Sequence, residues 1–345
     1  VELYDKFLWR LGSILLAAIM VFVGTPAPSA RAAGSLFERV TEFLSKQPGR
    51  YSVTALEIGG EARELHVRDT TQVDPASIFK LYHAGLAFEK IQLGHWTPTT
   101  KLASKYSVQT CLRLMISYSD NECAVDIRSK LGIAYVNSRL KAWGLTSSHI
   151  VFNSRGEYLT KHTTTKDVAH FLKQLHGGTL LNPGMTSNFQ TLLKGQVWRA
   201  RISAGLKAGV PVASKSGQLL TNDGMVEGDS AIIFGPKSTY LLVVIGTSGA
   251  TGSAVRGVSA MVYEDWQGPI AVRASYPKAQ LVAVGKTYLR TRPGGPIIKS
   301  IAAGSSVRLE WSLRGWLYVV HGSNKGFVYV NSVRLSNRYL QWGEL

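Results

Sequence analysis

"VDPASIFKLYHAG", residues 73–85, sets a serine three positions ahead of a lysine, directly after an Asp-Pro pair. Asp74 is a good cap and Pro75 fits the first helical position, where its missing N–H costs nothing, so a helix is predicted to start here. Within it Ile78, Leu81, Tyr82, Gly85 and Leu86 form one apolar stripe. Residues three apart share a helix face, which puts Ser77 beside Lys80. Two readings are open: a nucleophile with its base, or a helix start that carries an exposed lysine. The spacing does not choose between them, because Ser138/Lys141 and Ser275/Lys278 repeat it.

Outward from this stretch, the hydrophobic pattern changes period several times. Leu36, Phe37, Val40, Phe43 and Leu44 recur at helical spacing, and residues 50–67 alternate like two strands about Gly59-Gly60. Residues 108–194 read as mostly helical, broken at Ser119-Asp120-Asn121, around Gly144 and through "NSRGEYLTKH" (153–162). Strand patterns return in "VPVASKSG", "GDSAIIFG" and "TYLLVVIGTSG", and a helix over 253–266 closes the unit. Strands at both ends with helices between predict an α+β domain: an antiparallel sheet flanked by helices, plus an all-helical subdomain. Residues 268–278 carry Gly-Pro and Tyr-Pro breaks and read as a linker. Beyond them, 279–345 is a run of short Trp- and Tyr-rich strands between glycine turns, which predicts a small all-β barrel.

The N-terminal residues stand apart from this fold. Lys6 and Arg10 precede an apolar run, Leu11 to Val23, followed by small residues at Ala30-Arg31-Ala32. That order predicts a secretory signal peptide over residues 1–32. The run is shorter than the ~20 apolar residues of a spanning helix, which favours cleavage over an N-terminal membrane anchor. The 345 residues carry 39 Lys+Arg against 22 Asp+Glu, a net charge of +17. For a secreted or wall-located protein such a charge suits anionic wall polymers and lipid headgroups. No basic run with interleaved aromatics marks a nucleic-acid site. The two cysteines, Cys111 and Cys123, are close enough in sequence to pair outside the cytoplasm. Neither C-x-x-C nor H-E-x-x-H occurs and the histidines are scattered, so no metal and no cofactor are expected.

A serine hydroxyl needs a nearby base to attack a carbonyl, and a lysine serves once burial and a second cation lower its pKa. Lys215 in "VASKSGQL" offers that cation. Ser119 offers a proton relay to a leaving nitrogen, Asn121 a partner for a substrate amide, and Gly217 room for a substrate backbone beside a strand edge. In chain order these residues spell S-x-x-K (Ser77 to Lys80), S-D-N (Ser119 to Asn121) and K-S-G (Lys215 to Gly217). This motif set resembles that of class A β-lactamases and penicillin-binding proteins. "RISAGLKAGVPVASKSG" and "HTTTKDVAHFL" resemble the same family, and the similarity spans about residues 34–267.

The resemblance implies a role for each residue. Ser77 is the acylated nucleophile, Lys80 its proton acceptor and Ser119 the donor to the leaving nitrogen. Lys215 and Ser216 hold a substrate carboxylate, Asn121 positions an amide, and the backbone N–H groups of Ser77 and Gln218 form the oxyanion hole. Class A β-lactamases also carry E-x-x-L-N, whose glutamate activates the deacylating water, and that signature is absent here. Glu157 is the only acid in the loop before the threonines of "HTTTKDVAHFL" and lies much closer to them than the family's spacing requires, so it reads as an exposed loop acid, with a replacement base as the alternative. Gly246 to Ala250 nearly spells a G-x-S-x-G elbow but reads as a strand end. In the C-terminal part, "YLRTRPG", "AAGSSVRL", "GWLYVV" and "GFVYV" resemble bacterial SH3-like domains of exported wall enzymes.

The expectation is a monomeric exported serine hydrolase acting on β-lactams or D-alanyl peptide amides, held to cell-wall polymers by its SH3-like domain. The alternative is a wall-binding protein with a vestigial site. The motifs are intact, which counts against that alternative.

Overall fold

The computed structural model describes residues 34–275, 280–313 and 315–335; the expected signal peptide lies outside the described residues. Helix α1 (Leu36–Ser45) starts in a capping box, with the Ser35 hydroxyl and the Glu38 carboxylate each accepting the other's backbone N–H. Strands β1 (Arg50–Ile58) and β2 (Glu64–Val67) form the expected hairpin. After a 3₁₀ turn, Ala76–Phe79, come α2 (Lys80–Gln92), α3 (Val108–Ser117), α4 (Asn121–Leu131) and α5 (Ile133–Ala142). Strands β3 (His149–Phe152) and β4 (Tyr158–His162) lead to α6 (Thr165–His176) and α7 (Pro183–Lys194). Strands β5 (Val212–Thr221), β6 (Gly224–Phe234) and β7 (Thr239–Thr247) precede α8 (Gly252–Gln267).

The main sheet is antiparallel, ordered β2-β1-β7-β6-β5, which leaves β5 at one edge. One face packs on α1 and α8 through a core that includes Val40, Tyr51, Val258 and Trp266. The other face meets α6 and the helical half. Burial on both faces explains why β6 and β7 read as nearly continuous apolar runs rather than alternating ones. The near-elbow at 246–250 ends β7, with Gly249 and Ala250 donating to the Met225 carbonyl.

Two expectations are corrected here. Helix α2 buries every residue from Lys80 to Glu89 instead of one stripe, because α3, α4, α5 and α7 all pack around it. Its buried Glu89 is tolerated because Arg139 pairs with it and the Tyr135 hydroxyl donates to it at 3.0 Å. Residues 153–162 are also not simply a break between helices. Tyr158 to His162 pair with 149–152 as a two-stranded hairpin.

The C-terminal part is all-β: β8 (Gln280–Ala283), β9 (Thr287–Arg290), β10 (Ile297–Ile301), β11 (Ser306–Leu313), β12 (Trp316–His321), β13 (Asn324–Tyr329) and β14 (Val333–Leu335). They form one antiparallel sheet ordered β10-β9-β13-β12-β11-β8-β14. This module packs directly on the helical half, and their buried side chains form one continuous core. Arg113 of α3 donates to Asn331. Gly315, at φ 74°, lies so close to Tyr106 that a Cβ there would stand 2.5 Å from its hydroxyl oxygen. Among the described residues no helix is long and apolar enough to cross a membrane.

Candidate active site

Ser77 sits in the 3₁₀ turn, and the α-helix proper begins at Lys80, later than Asp74-Pro75 suggests. The Asp74 carboxylate accepts the Ala76 N–H at 2.8 Å, and Ala76 takes a left-handed φ of 49°. In a 3₁₀ turn residues i and i+3 eclipse, so Ser77 stands over Lys80 more directly than in an α-helix. Lys80 is 6% exposed, which removes the reading as an exposed surface lysine. Its Nζ donates to the Ser119 carbonyl at 2.6 Å, Asn121 Oδ1 at 2.7 Å and Ser119 Oγ at 3.3 Å. No hydrogen bond among the described residues joins it to Ser77 Oγ. Such contacts are often long before substrate arrives.

Burial is the largest influence on Lys80 and brings its pKa down to about 7; Asp120 opposes this and Lys161 lowers it further. Lys161, from β4, was not singled out in the sequence. Below that pH the ammonium cannot accept a proton from Ser77. Acylation by a penicillin is therefore expected to rise with pH through a midpoint near 7. Stopped-flow labelling across that range checks this, and a flat profile rules out Lys80 as the base.

The second motif forms a strained turn between α3 and α4. Ser119 has φ 64°, a left-handed conformation that costs a non-glycine residue about 1–3 kcal/mol. The turn is held on both flanks. Asp120 caps α4 by accepting the Cys123 N–H at 2.9 Å, and the Tyr118 and Asp120 N–H groups both donate to the Leu114 carbonyl. A disulfide joins Cys111 to Cys123 with Cα atoms 4.9 Å apart, bracketing the turn. Asn121, the first residue of α4, directs its side-chain carbonyl at Lys80.

The third motif lies on edge strand β5. Lys215 is fully buried; its Nζ donates to Ser119 Oγ at 2.9 Å and to the Ser216 carbonyl at 3.0 Å. Burial, then the charge on Lys80, holds Lys215 well below the usual lysine range. With two amines against Ser119 Oγ, its own hydroxyl proton is free to point outward.

Gly217 is required by the fold itself. A Cβ there would stand 2.5 Å from the Pro75 carbonyl oxygen and 3.1 Å from the Ser77 nitrogen. The glycine lets β5 close onto the turn that carries Ser77. The Gln218 side chain donates to Glu227 at 2.7 Å, and Glu227 is paired with Arg201.

Two grooves meet at Ser77 and share Asn121 and Gln218. One runs past Lys80, His83, Arg128, Tyr158 and Lys161. The other runs past Ser119, Trp198, Arg201 and Ser216 to Glu310, Trp311 and Ser312 of the C-terminal module. Lys215 lines neither; Arg201, paired with Glu227, is the cation that lines the second groove beside Ser216, while Lys215 contacts Ser119 from behind it. Glu157 also lines neither groove; it lies exposed in the β3–β4 turn and accepts from the Asn153 side chain at 2.6 Å. None of the described residues lining the first groove is a carboxylate. His83 is the buried titratable group there without a hydrogen-bond partner, and burial, followed by Arg128, Lys161 and Lys80, lowers its pKa to about 3. Arg201, His83, Lys161 and Trp311 lie outside the three motifs, and no local spacing marks them.

A five-stranded antiparallel sheet with helices on both faces, and a serine cleft between its edge strand and a helical half, is a β-lactamase-like fold. The sequence profile of the β-lactamase enzyme family matches residues 35–266, and the chain belongs to that family. Among solved structures, PBP-A superposes with a TM-score of 0.63 at 21% identity, covering 70% of this chain and 99% of its own. An ancestral class A β-lactamase gives 0.61 at 20% identity, covering 67% and 100%. A β-lactamase from Desulfarculus baarsii gives 0.61 at 19% identity, covering 68% and 97%. No curated protein matches the chain. At the level of the family, then, the chain is a hydrolase of the β-lactamase type.

Proposed function

We propose that this chain is an exported active-site-serine hydrolase that opens β-lactams or D-alanyl peptide amides through an acyl-enzyme on Ser77. The observation that carries the reading is the convergence of Lys80 and Lys215 on the hydroxyl of Ser119, beside Ser77. Neutral Lys80 takes the proton of Ser77 Oγ as that oxygen bonds to the substrate carbonyl carbon. The developing oxyanion rests on the N–H groups of Ser77 and Gln218, each worth ~3–4 kcal/mol in barrier. When the C–N bond breaks, the nitrogen takes the proton of Ser119, and Lys80 returns a proton to Ser119 across their 3.3 Å contact. A PBP-A variant of similar fold is an acyl-enzyme with penicillin G, which supports the same chemistry here.

A fluorescent penicillin should leave a label that survives denaturation, and a chromogenic cephalosporin should be opened. Absence of both overturns the reading.

Export and wall location rest on residues 1–32 and on the charge of +17. An SH3-like, wall-binding role for 279–345 rests on its sequence motifs. The purified chain should pellet with peptidoglycan sacculi. Binding that vanishes entirely in high salt would show charge alone to be responsible.

A further inference from the structure

We infer that the C-terminal module is the leaving-group wall of the active-site cleft, with Trp311 as the platform that selects large leaving groups. The inference rests on the serine-hydrolase reading above. The groove past Ser119 and Ser216 is the one that receives the nitrogen side of a scissile amide, because Ser119 is the proton donor to that nitrogen. Its far wall comes from β11, at Glu310, Trp311 and Ser312.

The sheet is shaped to present these residues. The register of β11 against β12 slips between Leu309 and Trp311, so Glu310 is an extra residue in that strand. A bulge of this kind bends a strand and re-aims its side chains, often next to a site. Trp311 is held ready: its ring stacks on Tyr318 at 5.0 Å and meets Phe327 edge-on at 5.3 Å. Even so, 44% of it stays exposed. A large aromatic side chain fixed by two neighbours and open to a cleft is a preformed contact surface.

The wall is also tied to the catalytic turn. The Tyr118 carbonyl, one residue before Ser119, accepts from Trp198 Nε1 at 3.1 Å and from Ser312 Oγ at 3.5 Å. The substrate class this favours is an amide whose leaving portion extends beyond one small residue and offers a flat or apolar face to the indole. A single small leaving residue offers no such face to the indole and gains little from it.

Cephalosporins test this, since their C3 substituent lies on the ring that carries the β-lactam nitrogen. Second-order acylation rates are compared for a C3-aryl-vinyl cephalosporin and its C3-methyl analogue. Trp311→Ala is expected to lower the aryl-to-methyl ratio of rates by roughly five- to ten-fold, and Trp311→Phe by a smaller factor. Equal effects on both compounds, the mark of a merely structural role, overturn the inference, as does an unchanged ratio. Failure of the native chain to be acylated by either compound overturns the serine-hydrolase reading and this one with it. Acylation with an insensitive ratio overturns this one alone.

Discussion

A labelled penicillin is expected to leave Ser77→Ala unlabelled and to label Lys80→Ala ~10²–10⁴ times more slowly than the native chain, the usual worth of a general base. Both variants should keep the fold. Ser77 is half-buried in a short turn, and removing its hydroxyl opens no core cavity. Lys80 is buried, but its removal leaves behind Ser119 and Asn121, which Lys215 and cleft water can still serve. Circular dichroism on both variants separates lost chemistry from lost structure. Adduct mapping by peptide mass should find the label on Ser77 alone. A label on Ser138 would overturn the assignment, since that residue lies in α5, away from Lys215 and Ser119.

The second large effect concerns release of the acyl group. Deacylation needs a water held and deprotonated against the ester, and the groove that would hold it has no carboxylate among its described lining residues. Asp74 lies close by but is engaged by Lys161 at 3.1 Å and Thr160 at 3.2 Å. His83 is neutral at pH 7 and, with a pKa near 3, a weak base. Hydrolysis of the adduct should therefore lack a general-base factor of ~10²–10⁴. A penicillin should give a burst of about one equivalent followed by slow release, with the adduct visible by intact mass over minutes. Glu157→Gln should not change the release rate. Fast cephalosporin turnover without an accumulating adduct, or a collapse of rate in that variant, would show a base that the resting cleft does not reveal.

The parts of this molecule that were legible in the sequence are those fixed by local spacing. S-x-x-K, S-D-N and K-S-G each lie within a single turn or strand, so three short segments single out Ser77, Lys80, Ser119 and Lys215, and the fold brings Lys80 and Lys215 onto Ser119. The sheet strands showed as apolar runs, whereas the cap of α6, Thr164 accepting the Asp167 N–H, was not read from the sequence. What stayed hidden depends on contacts between distant segments. The all-round burial of α2 depends on four helices that no window of sequence contains. That Arg201 lines the second groove while Lys215 is fully buried depends on packing between segments far apart in the chain. The close approach of the Pro75 carbonyl to Gly217 is likewise invisible in any window of sequence. The wall at Trp311 comes from more than two hundred residues after the nucleophile. A domain boundary drawn from composition gives no hint that both sides share one cleft.

The disulfide that brackets the Ser119 turn has a consequence for the stability of the fold. Cys111 and Cys123 are 12 residues apart, and closing a ring of that size removes about 3 kcal/mol of freedom from the unfolded chain. The left-handed Ser119 inside that ring costs about 1–3 kcal/mol. The two terms are of the same size and opposite sign. The cross-link thus offsets, in the stability of the whole fold, about what the strained residue costs, while the Tyr118 and Asp120 bonds to the Leu114 carbonyl and the lysine bonds to Ser119 fix the turn itself. Such a link persists only under oxidising conditions, so its reduction should lower the stability of the fold by a comparable amount.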